Sequence, residues 1–415
     1  MALIRYAAVA PFVFVVACGS GARFSPPAAS MSTASPMPTT AAATTTPPRL
    51  IPPTPASAST APVPLVGVKT PSEFDPPSSS ILGVAFADAQ HGWLIGIPCG
   101  GDNCIVLRTT NDGGRTWHPT GRPNVPLFGQ PNSVHNIRLL TERDGWAFGP
   151  GLWVTHDAGA TWTDQTPPAE VVDINVADGS AWQLHRPSDC QARGAPCIYT
   201  LSTSSDSGRS WREQASQPPI RRSQLSMVRH GALDAWIHAF GSALASDGSL
   251  DSTPAGGQFL VTHDAGASWQ ERPDPCTFGW FGDALSLSVD ATRLWLVCGG
   301  QPGAGSQGPK AVFTSADDGA SWDTVWKTAF SPGYVHGIVA ISADRALLGS
   351  ARAGGSVTET LDGGHTWSLA FQEPEDRDAG VFVLPFADAL HGWAVAVSAV
   401  WRTDTGGDYW ERIVP

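Results

Sequence analysis

The chain has 415 residues, 42% of them apolar, with 44 Gly, 36 Pro, 17 Trp and a formal net charge of −12. That length suits two or three ordinary domains or one large repeat domain. A negative balance of this size excludes a phosphate-backbone partner, so no nucleic acid is expected. Past the N-terminus no apolar run reaches the 18 residues that would mark a membrane helix.

The first element in chain order is a targeting segment. Arg5 is the only charge ahead of the apolar stretch Tyr6 to Ala17, which is too short to span a bilayer and fits a secretory signal. The stretch ends "VVAC", Val15 to Cys18, followed by Gly19, which resembles the lipobox of bacterial lipoproteins. The resemblance implies a signal peptide over 1–17, cleavage before Cys18, and a diacylglycerol on the Cys18 thiol. The protein is then expected outside the cytoplasm, lipid-anchored to the bacterial cell membrane. The competing reading is an ordinary signal with an incidental Cys. Residues 18–77 are Pro, Ala, Ser and Thr with almost no charge or aromatic side chains, and cannot bury enough apolar surface to offset their chain entropy. They read as a disordered tether, able to reach on the order of 150 Å at full extension.

From residue 78 to 415 the chain repeats itself. "TNDGGRTW" at 110–117 returns as "THDAGATW" at 155–162, "SSDSGRSW" at 204–211, "THDAGASW" at 262–269, "SADDGASW" at 315–322 and "TLDGGHTW" at 360–367. A seventh copy, "TDTGGDYW" at 403–410, has Thr405 where the others have Asp112, Asp157, Asp206, Asp264, Asp317 and Asp362. The closing residues are Trp117, Trp162, Trp211, Trp269, Trp322, Trp367 and Trp410. A weaker phrase precedes each copy: "FADAQHGWLIG" at 86–96 and "FADALHGWAVA" at 386–396 are nearly the same. One unit therefore reads strand A, turn, strand B, loop, strand C, Asp-containing turn, strand D, with the first unit's strands near 81–87, 92–97, 105–110 and 116–120. Seven units of four short antiparallel strands, with no helical pattern between, describe an all-β, seven-bladed β-propeller.

The repeated phrase resembles the Asp-box, or bacterial neuraminidase repeat, whose family includes sialidases, some glycoside hydrolases, sortilin-type receptors and photosystem II assembly factors. A complete set of seven in one domain looks most like the assembly-factor type. Each box position has a structural reading. The Asp carboxylate accepts N–H groups of its own turn, the second Gly allows a positive φ, and the Trp buries its ring between neighbouring blades. On that reading Trp162→Ala is expected to cost roughly 3–5 kcal/mol. A single carboxylate per box is too few ligands for calcium, so neither a metal nor a cofactor is expected. His91 and His391 share one turn position, and His156 and His263 share one box position, so all four read as structural.

Six cysteines follow Cys18: Cys99, Cys104, Cys190, Cys197, Cys276 and Cys298. They allow fifteen pairings, of which 99–104, 190–197 and 276–298 are expected. None fits a zinc pattern, because no CxxC or His pair sits nearby. "GAGSQG" at 303–308 matches a dinucleotide-binding phrase but has no helix after it, so it reads as a loop.

A–B and C–D turns lie on one face, B–C and D–A loops on the other. The boxes are C–D turns, so function is expected on the opposite face, where the proposed disulfides and the insertions at 241–257 and 299–310 also fall. The channel mouth there is expected to be lined by the starts of the A strands: His135, Asn136, Asp173, Arg221, Arg222, Gln224, Trp280, Phe281, Asp283, Tyr334, His336, Arg377 and Asp378. Such a mixture suits a ligand or partner surface. The expectation is a monomeric, non-catalytic propeller that binds an envelope protein or glycan. The alternative is a sialidase-like or other glycoside hydrolase acting on extracellular glycans. Sialidases carry an arginine triad, a Tyr–Glu nucleophile pair and an Arg-Ile-Pro phrase at the first blade. Here "SSSILGVAF" opens that blade, and after Tyr6 only Tyr199, Tyr334 and Tyr409 remain.

Overall fold

The computed structural model describes residues 79–98, 105–125, 132–187, 198–244, 250–251, 256–277, 284–288, 290–299, 308–331, 334–351, 355–372, 383–396 and 399–413, and at 79–80, 98, 242–244, 250–251, 308, 329–331, 334, 336 and 351, Tyr334 and His336 among them, the backbone alone. The chain divides into Met1–Val68 and Lys69–Pro415, and every described residue belongs to the second unit. The signal segment, Cys18 and the tether lie outside the described residues.

Seven sheets form seven blades. Blade 1 holds β1 (Ser79–Phe86), β2 (Gly92–Pro98), β3 (Val106–Thr110) and β4 (His118–Pro119). Blade 2 holds β5 (Asn136–Leu139), β6 (Gly145–Phe148), β7 (Leu152–Thr155) and β8 (Thr163–Asp164). Blade 3 holds β9 (Glu170–Ala177), β10 (Ser180–Arg186), β11 (Thr200–Ser204) and β12 (Arg212–Glu213). Blade 4 holds β13 (Arg222–His230), β14 (Asp234–Leu244), β15 (Leu250–Asp251), β16 (Gln258–Thr262) and β17 (Gln270–Arg272). Blade 5 holds β18 (Ala284–Leu287), β19 (Leu294–Gly299), β20 (Gly308–Ser315) and β21 (Asp323–Ser331). Blade 6 holds β22 (Tyr334–Ala340), β23 (Ala346–Ala351), β24 (Gly355–Thr360) and β25 (Ser368–Gln372), and blade 7 holds β26 (Gly392–Ala396), β27 (Ala399–Thr403) and β28 (Glu411–Ile413).

Every pairing is antiparallel and, apart from β14 with β16 across the inserted β15, sequential, as the predicted repeat requires. The first strands of consecutive blades touch one another from β1 to β22, so they form the inner wall, and β1 meets β26 where the ring closes. Two details differ from the expected unit. The inner strand of blade 7 is reduced to isolated bridges, Val383 to Val395 and Phe386 to Gly392. In blade 4 part of the expected insertion at 241–257 extends the sheet, because β15 folds back on the end of β14.

The boxes are fasteners. In the first, Thr110 Oγ1 donates to Asp112 Oδ1 at 2.8 Å and accepts from Gly114 N at 2.8 Å. Asp112 then accepts from Thr116 N at 2.9 Å and from Thr116 Oγ1 at 2.6 Å. The same bonds recur around Asp157, Asp206, Asp264, Asp317 and Asp362. In the seventh copy Thr405 Oγ1 accepts from Tyr409 N at 2.9 Å, so a hydroxyl takes the carboxylate's place. Each turn spends two consecutive residues at positive φ, 73° and 93° at Gly113 and Gly114. The first of these positions carries a side chain in Ala158, Ser207, Ala265 and Asp318.

Box turns and A–B turns share a face: Gly113 N donates to Gln90 O, Gly363 N to Asp344 O and Gly406 N to Leu390 O. The box Trp rings do reach the preceding blade. Trp162 meets Trp93 edge-on at 5.8 Å, Trp211 meets Trp146 at 6.0 Å, and Trp322 meets Phe259 at 5.1 Å. Except for Trp410 these rings are only half-buried. The deeply buried set is on the second strands, Trp93, Trp146, Trp182, Trp236, Trp295 and Trp393, joined by Trp401 of β27. That corrects the expectation for the box Trp: in three copies the indole N–H stays near the rim and bonds a backbone carbonyl, Trp162 with Gly159 and Gly121, Trp322 with Pro273 and Trp367 with Gly364.

Candidate functional site

With the boxes on one face, the starts of the first and third strands and the ends of the second strands lie on the other. Arg221 and Arg222 stand at the start of β13. Arg221 Nη2 bonds Glu271 at 2.7 and 2.9 Å, and its backbone N–H donates to Gln258 Oε1. The Arg222 guanidinium donates to Gly256 O from Nε and Nη2 and to Arg221 O from Nη1. Burial and the neighbouring Arg221 lower its pKa, while Asp274 and Glu271 oppose the shift.

Blade 3 supplies the adjoining wall. Arg186 ends β10 and bonds Glu170 at 3.2 Å and Ser223 O at 2.9 Å. Tyr199 is buried and donates its hydroxyl to Arg222 O at 3.0 Å. Burial raises the Tyr199 phenol. Burial alone would lower the Arg186 guanidinium, but Tyr199 and Glu170 raise it, so it remains a fixed cation. On the inner wall Asp173 of β9 lies 3.9 Å from Arg138 of β5. Burial pushes the Asp173 carboxyl up, and Arg138 only partly offsets this.

The structure therefore joins Arg221 and Arg222 to blade 3. It separates them from His135 and Asn136, which sit by the hairpin of blade 2, beside Gly149. Burial lowers the His135 imidazole. Gln224 is exposed on β13 opposite Phe240. Trp280, Phe281, Asp283, Arg377 and Asp378 lie outside the described residues, as do Cys99, Cys104, Cys190 and Cys197. Cys276 and Cys298 are joined, Cα to Cα 5.6 Å, and staple blade 4 to blade 5.

Sequence reading passed over Arg138, Glu170, Arg186, His238 and Asp274. Arg138 was findable, since it follows Asn136 by two and so shares its side of an inner strand. His238 and Asp274 were not, because 36 residues separate them in the chain. With Cys276 they form the one group of ligand-type side chains brought together among the described residues.

No protein-family model matches the chain. A xyloglucanase from Paenibacillus sp is 26% identical over 258 residues, covering 54% of this chain and 24% of that protein. The match thus spans about a quarter of the relative's length. Among solved structures, YCF48 bound to D1 peptide aligns with TM-score 0.52 and 18% identity over 82% of this chain and 95% of that one. YCF48 from Cyanidioschyzon merolae gives 0.52 and 16% over 81% and 98%. An ancestral GH74 enzyme gives 0.54 and 11% over 82% and 47%. At these identities the likeness establishes the propeller fold.

Proposed function

We propose that this propeller is a non-catalytic binding module that takes a protein or glycan partner of the cell envelope on the face opposite its boxes, in an assembly or scaffold role. The observation that carries the reading is the pairing of Glu170, Asp173 and Glu271 with Arg186, Arg138 and Arg221. Acids held by guanidinium groups make a rigid, charge-patterned surface suited to recognition. The D1 peptide complex of the neighbouring YCF48 structure supports a peptide-like partner. Lipidation at Cys18, with the tether over 18–77, belongs to the same proposal and would hold the head outside the cytoplasm. The disulfide between Cys276 and Cys298 is compatible with an oxidising compartment.

The xyloglucanase match favours a second reading, a glycoside hydrolase. Hydrolysis needs two carboxyls about 5–9.5 Å apart, one of them protonated in most mechanisms. Asp173, with its raised carboxyl, would be the acid, and Asp283 or Asp378 the second group. A sialidase would instead need three guanidinium groups free to converge on a substrate carboxylate, whereas Arg138, Arg186 and Arg221 each hold an acid of the protein. The test is incubation of the purified protein with xyloglucan and with fluorogenic glucosides and sialosides, beside Asp173→Asn. The binding reading expects no release above the variant's background. Turnover that Asp173→Asn abolishes would overturn it.

A further inference from the structure

Between blades 4 and 5, on the face opposite the boxes, three ligand-type side chains converge and a fourth, Cys298, is bonded to one of them. His238 lies mid-strand on β14 with its ring fully buried, and Asp274 follows β17 with its side chain 8% exposed. Cys276 and Cys298 are buried beside them and bonded to each other. The ligand atoms of His238, Asp274 and Cys276 lie within 4.8 Å of one another.

This group is unusual in what it leaves unmade. Both ring nitrogens of His238 and Oδ2 of Asp274 have no hydrogen-bond partner although they are buried, a state that costs the desolvation of each group with nothing in return. His238 Nε2 and Asp274 Oδ1 stand 3.4 Å apart. Two ligands at about 2.0–2.2 Å from one tetrahedral zinc are separated by roughly 3.4 Å, so the pair already has the spacing of a coordination edge. The carboxylate is aimed by Cys276 N, which donates to Oδ1 at 2.9 Å, the kind of outer bond that orients metal ligands. The chain passes over the pair at Gly257, where a Cβ would collide with Asp274 Oδ2 and His238 Nε2.

The geometry points to a redox-gated zinc site: a disulfide when Cys276 and Cys298 are oxidised, and a site of two thiolates, one imidazole and one carboxylate when they are reduced. In the oxidised state Cys276 and Cys298 share their sulfur electrons in the S–S bond and offer no thiolate. Reduction by a phosphine breaks that bond: the phosphine loses two electrons and takes oxygen from water, and both water protons go to the two thiols. Zinc then displaces those two protons, with His238 neutral and Asp274 ionised. The sulfurs must part to roughly 3.8 Å to occupy two corners at about 2.3 Å from the metal. Two thiolates and a carboxylate exceed the charge of zinc by one, and Arg222, whose guanidinium feels the Asp274 charge, offsets it.

The test uses the full chain, oxidised and phosphine-reduced, titrated with zinc against a chromophoric chelator and with cobalt for its absorption spectrum. Cys276→Ser reports the background from the other cysteines. The expected result is one further equivalent of zinc bound only after reduction, a tetrahedral thiolate–cobalt spectrum, and affinity at least about tenfold weaker in His238→Gln and Asp274→Asn. Thermal melts of the two variants in the oxidised state check that each is folded. Reduced wild type that binds no more zinc than Cys276→Ser would overturn the proposal. So would folded His238→Gln and Asp274→Asn variants that bind like wild type.

Discussion

At the scale of single residues, the box carboxylate is a turn-former whose energetics are visible in its acidity. Hydrogen bonds from the Ser or Thr at the end of the turn, by side chain and backbone, bring Asp157, Asp206, Asp264, Asp317 and Asp362 down to about 2. A carboxyl whose folded pKa lies below its unfolded value of about 3.8 contributes stability that is complete above that value and lost as pH falls through the folded one. Stability is therefore expected to fall between pH 4 and pH 2 as these groups protonate, and Asp317→Asn should flatten part of that fall in acid-unfolding curves. The tryptophans separate by depth. Trp146→Ala, at a fully buried position, is expected to cost about 3–5 kcal/mol, and Trp162→Ala, half-buried, about 2 kcal/mol, both measured by denaturant unfolding. The sequence marks both positions, but not their order. The box Trp lies in the better-kept phrase, while the Trp of "DGW" lies in the looser one and carries the core.

At the scale of elements, the seams between blades are clipped on the box face. Arg115 bonds Asp404 across the closing seam, His91 bonds Glu142 between blades 1 and 2, and Arg345 bonds Asp408 between blades 6 and 7. The densest clip joins blades 4 and 5. His263 bridges Asp234 at 2.8 Å and Asp318 at 2.7 Å, and Asp318 also accepts from Arg272 and from the Trp236 indole. Asp318 holds this place at φ 65°, a region that disfavours side chains, and its three partners account for a carboxylate there. Hydrogen bonds to Asp234 and then Asp318 raise the His263 pKa. A raised folded pKa gives stability that is present below about 6.5 and lost as pH rises through the folded value. Hydrogen exchange at the 262–269 and 315–322 turns is expected to quicken between pH 6 and pH 9 more than intrinsic chemistry requires, and His263→Asn should remove the excess. Repeat position identified His263 as structural, but its two partners come from an A–B turn and the next blade, so its bridging role needed coordinates.

At the scale of the whole molecule, seven near-equal units made the architecture legible, because a motif every 43 to 58 residues leaves few ways to close seven four-stranded sheets. Closure itself rests on less regular contacts. Phe86 stacks on Trp393, whose indole donates to Gly113 O at 2.9 Å, joining blade 7 to blade 1. The candidate binding face was legible only as a face. Strand alternation placed Arg221, Arg222 and Asp173 on it, but pairing with Arg186, Glu170 and Arg138 crosses blades, and no local pattern encodes a cross-blade partner. The central claim is that the boxes build the ring and the opposite face does the binding. Its most direct test is photocrosslinking of the full chain in its native envelope, with the photoreactive residue placed either at Arg222 on the loop face or at Leu390, an exposed turn residue on the box face. Specific partner adducts from position 222 and background alone from 390 are predicted. Adducts from 390 with none from 222 would contradict the account.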